Sequence, residues 1–337
     1  MSANPAFVDW LSRIWWREAW LTIEALEPAT LPPWLGSGIR GALGHLFRSA
    51  LCDGAGCGHD CQRPGSCRYY SLFEAKREGA KPFVLMAPPL PGLEAIAMGG
   101  PVHLPFRTGP PRSGETIPTL LCEAGWKLSP GAALRFGLRL FGELSNVLPA
   151  AIEGIAKFGL DLGGYRFRLA SAHDHSGQLL YDCKFSSVPV QMPRSEKLLC
   201  EPEKVRRLRV VFLTPVLFKP KNQQTPTFSP NVFAARFFEH SLGTAVKIYQ
   251  VCSGEKLPWV DPPCLDCGLI AHKLFRYDLP RHSYRQDKWL DFDGVIGYMD
   301  FAGELDAAMP WARAAEVMHF GQKAAFGQGA VRVIVLE

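Results

Sequence analysis

The residues best suited to chemistry lie in one stretch, GSGIRGALGHLFRSAL, Gly36 to Leu51. At about 100° per residue it reads as an amphipathic helix. Ile39, Ala42, Leu43, Leu46, Phe47 and Ala50 share its apolar face, and Ser37, Gly41, Gly44, His45 and Arg48 the opposite one. An imidazole that titrates near neutrality suits proton transfer, and a guanidinium suits phosphate. Glycine on an exposed helix face costs on the order of 1 kcal/mol against alanine. That cost is offset where another backbone must come close, which a Gly41/Gly44 groove allows. Two readings stand. Either a substrate lies in that groove beside His45 and Arg48, or the helix packs against a neighbouring domain and His45 is an incidental surface residue.

A second candidate is GQKAAFGQG, between a helix and the last strand. It lacks Walker spacing. Gly321, Gly327 and Gly329 can turn successive backbone N–H groups toward an anion without Cβ obstruction. Lys323 adds a point charge, Gln322 a polar side chain and Phe326 a stacking face. The plain alternative is a helix-to-strand turn, which glycine favours.

Cys52, Cys57, Cys61 and Cys67 give C-x4-C-x3-C-x5-C, with His59 inside. Four thiolates so close suit a tetrahedral zinc site, structural rather than catalytic. The spacings differ from the paired C-x2-C of zinc ribbons and from the common iron–sulfur patterns. A loop of reduced thiols is the alternative. Cys264 and Cys267 form a second, weaker pair. His173 and His175 sit beside Ser176-Gly177 in what reads as a hairpin tip. No G-x-S-x-G, H-E-x-x-H or H-x-E with P-C-x-x-C occurs, which removes support for hydrolase elbows, zincins and zinc deaminases.

The elements that must hold these residues fit 337 residues, 47% hydrophobic and 20% charged, an ordinary globular profile sized for two domains. The start shows no signal-peptide pattern and no apolar run reaches a membrane span, so a cytoplasmic protein is expected. Ten cysteines without an export signal read as thiols or metal ligands rather than disulfides. The net charge is +5. Lys204, Arg206, Arg207, Arg209, Lys219 and Lys221 crowd one stretch. Lys273, Arg276, Arg281, Arg285 and Lys288 crowd another, interleaved with Phe275, Tyr277, Tyr284 and Trp289. Basic side chains neutralise phosphates and aromatics stack on bases; a solvated surface would look the same.

Strands are expected at Ile14–Leu26, Ala132–Phe141 and Arg206–Phe218, and helices at Ser145–Phe158, Asn231–Cys252 and Glu304–His319. Each half runs strand, helix, strands, helix, glycine turn, strand. That order is ferredoxin-like, βαββαβ. The fold class read here is α+β, with tandem ferredoxin-like (RRM-like) domains over 1–200 and 201–337. The first carries the cysteine-rich insert (52–67), the second the glycine-rich loop (321–329).

These pieces resemble a known family. PPWLGSGIRGALGHLFRSALC is similar to the first-helix signature of CRISPR-associated pre-crRNA-processing endoribonucleases of the RAMP (repeat-associated mysterious protein) superfamily. CRYYSLFEAKREGAKPFVLMAPP resembles an insert in some members, FLTPVLFKPKN the start of their second domain, and RHSYRQDKWLDFDGVIGYMDFAGEL with HFGQKAAFGQGAV their C-terminal core and glycine-rich loop. The resemblance implies CRISPR repeat RNA as partner, as precursor and as crRNA, together with other CRISPR effector subunits, and no membrane. It implies metal-independent cleavage within the repeat by 2′-OH attack, leaving a 2′,3′-cyclic phosphate and a 5′-OH, with no catalytic cofactor and any zinc structural. His45 matches the family's helix histidine. Arg40, Arg48 and Lys323 would act on the phosphate. Gly321, Gln322, Lys323, Phe326, Gly327, Gly329, Arg281, Arg285, Lys219, Lys221 and Arg206 would bind RNA. A non-catalytic RAMP scaffold that holds guide RNA is the alternative, and an unrelated metal-dependent enzyme using the cysteines is a third.

Overall fold

Alternation shapes the first strand, β1 (Trp15–Ala25): Ala19, Leu21, Ile23 and Ala25 turn inward, and Trp16, Glu18, Trp20, Thr22 and Glu24 outward. The computed structural model describes residues 10–52, 61, 63, 66–75, 81–185, 188–198, 204–217, 228–257, 266–283 and 288–337. After β1 come α1 (Gly36–Leu51), β2 (Phe83–Met86), β3 (Phe106–Gly109), β4 (Thr119–Cys122), β5 (Ala133–Phe141), α2 (Leu148–Phe158), β6 (Tyr165–His173) and β7 (Leu179–Asp182). The sheet order is β7-β6-β1-β5-β2. Without the added edge strand β7, this is the ferredoxin-like order, antiparallel throughout. Helices α1 and α2 cover its inner face. Ile39, Leu43, Leu46 and Phe47 of α1 meet Ile152 and Ile155 of α2 in the first core.

The second unit repeats the pattern with β8 (Arg207–Val216), α3 (Pro230–Ser253), β9 (Cys267–Tyr277), the hairpin β10 (Pro280–Ser283) and β11 (Lys288–Asp291), β12 (Gly294–Gly303), α4 (Met309–Met318) and β13 (Val331–Val335). The order β13-β8-β12-β9 is again ferredoxin-like. Proline opens α2, α3 and α4, where its missing N–H costs nothing. Phe212, Phe233, Phe237 and Phe320 form the centre of the second core, with Phe237 and Phe320 rings 4.9 Å apart.

The two units are sewn together. The β3–β4 hairpin lies within residues 1–200, yet β4 pairs in parallel with β9 and extends the second sheet. Residues 93–100 lie on that sheet's outer face. There Lys273 Nζ donates to the carbonyls of Gly99 and Gly100 at 2.8 and 3.1 Å, and Arg332 pairs with Glu94 at 2.8 Å. Arg276 is buried and ion-paired with Glu115, Asp278 and Asp293. Of the two cations read from sequence as part of a basic face, Arg276 is therefore held inside the protein and Lys273, half-buried, is engaged by backbone carbonyls. On the other side, Arg139 of β5 is held by Glu18 of β1 at 2.6 Å and donates to the carbonyl of Val317 near the end of α4. A cation there also complements the helix dipole. Among the described residues no helix is long and apolar enough to cross a membrane.

Candidate active site along the first helix

Helix α1 spans Gly36–Leu51, as the sequence pattern predicts. His45 is exposed, and Arg48, one turn on, is exposed beside it. The groove differs from the expected one. A Cβ on Gly44 would rest 3.7 Å from the Phe73 ring, so the half-buried Gly44 faces a neighbour within the chain itself. Gly38 and Gly41 would meet nothing within 4 Å. Both lie on the His45 face, toward the N-terminus. The bare strip is Gly38–Gly41–His45, and no packing among the described residues accounts for its glycines.

Phe73 belongs to a short π-helical turn, Tyr70–Glu74, that forms a wall beside α1. The turn follows Cys67, whose sulfur accepts the Tyr70 N–H at 3.4 Å. Tyr69 stacks on Phe73 and donates to Glu74 at 3.1 Å. Burial, reinforced by the Glu74 carboxylate, pushes the Tyr69 hydroxyl up to about 12, against the opposing pull of Arg48 and Arg40. Tyr69 is thus a neutral phenol at neutral pH.

The glycine-rich loop docks at the N-terminal end of the same helix. Gly36 approaches the Phe326 carbonyl so closely that an added Cβ would lie 1.9 Å from the oxygen. Gly327, at φ +81°, sits against Ala87 and Trp34, with 2.6 Å from an added Cβ to the Ala87 methyl. Only glycine satisfies either position. Arg40 lies between the two structures, its guanidinium carbon 4.3 Å from the Phe326 centroid and 5.5 Å from that of Phe73. Phe326 meets Phe292 edge-on at 5.3 Å, and Lys323 Nζ lies 3.8 Å over the Phe292 ring. Arg40 and Lys323, one from each unit, therefore flank a pair of touching aromatic rings.

The loop itself departs from the expected cradle of free amides. The N–H groups of Gln322, Phe326, Gly327, Gly329 and Ala330 are bonded to Leu217 O, Lys323 O, Ala324 O, Pro215 O and Thr214 Oγ1. Gly321 and Gly329 turn at φ +89° and +82° and press on the carbonyls of Leu217 and Phe320. The glycines shape and dock the loop. What it presents is Lys323, itself at φ +64°, the exposed Gln322 and the Phe326 ring. Phe320 anchors one end in the second core. Gln328, wholly buried, anchors the other by donating to the Phe292 carbonyl. His319, buried at φ +62°, donates from Nδ1 to the Gln328 carbonyl at 2.9 Å. Burial drives its pKa down to about 3, so it is neutral.

Other expected residues fall elsewhere. Arg281 sits on β10, opposite Leu290, in the hairpin that opens from Leu279 and Phe292, and it is the Phe292 ring that lies under Lys323. Arg206 pairs with Glu304 at 3.0 Å at the far end of β8. Leu217, the bridge partner of Gln322, lies eleven residues on, roughly 35 Å away along the strand. Arg206 is thus not brought to the glycine loop. Lys219, Lys221, Arg285 and Cys57 lie outside the described residues. Cys52, Cys61 and Cys67 are half-buried against the first core, and among the described residues no group of three or more His, Cys, Asp or Glu is arranged to hold a metal. Phe73, Phe292 and Gly38 are site residues that the sequence reading missed. The i,i+4 pair Tyr69/Phe73, matched to the turn of α1, was the available signal for the first.

Two ferredoxin-like units of matching strand order, joined at a histidine-bearing first helix and a C-terminal glycine loop, are the architecture that the resemblance to RAMP proteins implies. Residues 15–189 match the family model AF_1859_N, described as an N-terminal domain, and residues 210–331 match that of the CRISPR-associated endoribonuclease Cas6. The first match spans just over half of the chain, which therefore belongs to the family that carries this N-terminal domain; the second is a likeness of the C-terminal part to the Cas6 endoribonucleases. Its fold is similar to that of a Cas6 (TTHB231) product complex, at 17% identity and a TM-score of 0.53. It is likewise similar to Thermus thermophilus Cas6 (TTHB231), at 16% and 0.52. Both alignments cover 95% of this chain and 99% of the other. No curated protein matches the chain.

Proposed function

We propose that the chain cleaves CRISPR precursor RNA within its repeat by attack of a ribose 2′-OH on the adjacent phosphate, leaving a 2′,3′-cyclic phosphate and a 5′-OH. The observation that carries this reading is the exposed His45 next to Gly38 and Gly41, where an added Cβ would meet nothing within 4 Å among the described residues. That strip lets a ribose-phosphate backbone lie against the helix with its reacting atoms at the imidazole. His45 transfers the proton, either from the 2′-OH or to the leaving 5′-oxygen. Arg48, one helical turn away, stabilises the charge that develops on the phosphate. His45 lies nine residues beyond Gly36, roughly 13 Å further along the axis from the docked loop. Arg40 and Lys323 accordingly hold the RNA beside the scissile linkage rather than at it, and the Arg281 hairpin extends that hold. Glu74 and Tyr69 form the wall.

This division of labour needs no metal for the chemistry. Cys52 ends α1 and Cys67 opens the Phe73 wall. Zinc held there with Cys57 and Cys61 would brace the wall and take no part in the reaction. The test is direct: incubate the protein with its cognate repeat RNA in EDTA and identify the fragment ends. Cleavage to a cyclic phosphate and a 5′-OH is expected, blocked by a 2′-deoxy substitution at the scissile nucleotide. Strict dependence on added divalent metal, or cutting of the 2′-deoxy substrate, would sink the mechanism. Binding without any cutting would favour a guide-RNA scaffold instead.

A further inference from the structure

We infer that the outer face of the first sheet holds a second RNA contact, a stacking site for one unpaired base built on Trp20 and Arg135. The inference rests on the RNA reading above and extends it away from His45. At the Trp16 end of β1 this face is covered: Trp16 packs in the second core and Glu18 is buried with Arg139. Two residues on, it emerges. Trp20 is half-buried, Arg135 exposed, and Thr22, Ser171 and His173 half-buried.

The indole is held in place before any ligand arrives. Its Nε1–H donates to Glu18 Oε1 at 2.9 Å, and Glu18 is fixed in turn by Arg139 at 2.6 Å. The Arg135 guanidinium carbon lies 5.0 Å from the Trp20 ring centroid. An aromatic plane with its polar edge satisfied, under an exposed planar cation, is the chemistry that takes a nucleobase. The base would slip between ring and guanidinium or lie beside the cation, with a neighbouring phosphate on the arginine.

The site is continuous with the glycine loop. Met86 of β2 faces Gly137 of β5, Gly137 faces Trp20 of β1, and Trp20 faces His173 of β6, so the four form one row across the sheet. Gly137 has no side chain, and Met86 fills the gap, 2.3 Å from where a Cβ would be. The next residue after Met86, Ala87, touches Gly327. At about 4.8 Å per strand, Trp20 lies only about 10 Å along the row from Met86. The ledge is also cationic. Arg135, Arg166 and Arg168 face outward with Glu24, which pairs with Arg168 at 2.7 Å. That surplus of positive charge favours a strand of RNA over an apolar or basic protein partner.

The test uses the full chain and labelled repeat RNA, with affinity read by fluorescence anisotropy. Trp20→Ala should weaken binding about five- to hundred-fold, the span for loss of one base–aromatic stack. Trp20→Phe should restore most of it. One nucleotide outside the scissile linkage should exist whose abasic replacement weakens wild-type binding by a similar factor and leaves Trp20→Ala unaffected. Arg135→Gln, at an exposed site, should weaken binding and make the salt dependence shallower by about one counterion, which keeps the idea testable if Trp20→Ala fails to fold. Wild-type protein that does not bind the RNA at all overturns the RNA reading itself. Wild-type binding left unchanged by Trp20→Ala and Arg135→Gln overturns the stacking site alone. So does a ledge that captures a protein partner while RNA affinity stays constant.

Discussion

The Arg40 guanidinium carbon stands 4.3 Å from the centroid of the Phe326 ring, a cation–aromatic contact that joins the close approach of Gly36 to the Phe326 carbonyl in tying the first helix of one ferredoxin-like unit to the glycine loop of the other. Phe73 backs the same guanidinium at 5.5 Å. A planar guanidinium can lie on an aromatic face and hydrogen-bond at its edge at the same time, which a lysine ammonium does not reproduce. Arg40→Lys should therefore behave like Arg40→Ala, each lowering RNA affinity at least tenfold in anisotropy titrations. Full retention by the lysine variant would show that charge alone matters at this position.

His45 should separate chemistry from binding. Removal of one general acid–base group typically lowers a rate 10²- to 10⁴-fold. His45→Ala is expected to lower single-turnover cleavage by that factor while repeat-RNA affinity changes less than threefold. Arg48→Gln should lower the rate as well, with a smaller loss of affinity than Arg40→Ala. Unchanged cutting by His45→Ala would take the imidazole out of the site.

The two bare glycines predict a trade between stability and function. Gly38→Ala and Gly41→Ala each add helix propensity worth about 1 kcal/mol at a position with open space around it. Both variants should melt higher than wild type. Both should also cleave more slowly or bind more weakly, because a methyl group stands where the RNA backbone lies. Raised melting temperature with undiminished activity would show that nothing approaches that strip.

His319 makes stability depend on pH. Its pKa is about 3 when folded, driven down by burial, against about 6.5 unfolded. The unfolded chain therefore binds the extra proton first as pH falls. The stability contributed by neutral His319 is complete above about 6.5 and is lost progressively as pH falls toward 3. Urea midpoints should decline over that window. His319→Asn removes the titration and tolerates the left-handed backbone, so its decline should be shallower. Parallel curves would place the acid sensitivity elsewhere.

Much of the architecture was legible because periodicity is local. The order of elements in each half, the bounds of α1 and the strand at β5 follow from alternation and helical spacing. The exposure of His45 follows from its angle to Leu43 and Leu46. Other features depended on a partner that sequence does not reveal. Gly44 looked like part of an open groove until Phe73 was found against it, and Gly38 was overlooked. Lys273 and Arg276 looked like members of a basic face, but residues 93–100 and Glu115 come from the first half of the chain to engage them.

Residue types and spacing by themselves determined two βαββαβ units, a helix with histidine and arginine on its solvent side, and a glycine loop before the last strand. They could do so because each of these depends on neighbours within a few residues. Only the tertiary structure decided that the loop spends its amides internally, that Phe326 reaches Arg40, and that Arg206 lies at the opposite end of the sheet. Those outcomes follow from packing between segments far apart in the chain, where the distances are set by the crossing of two cores rather than by any local preference.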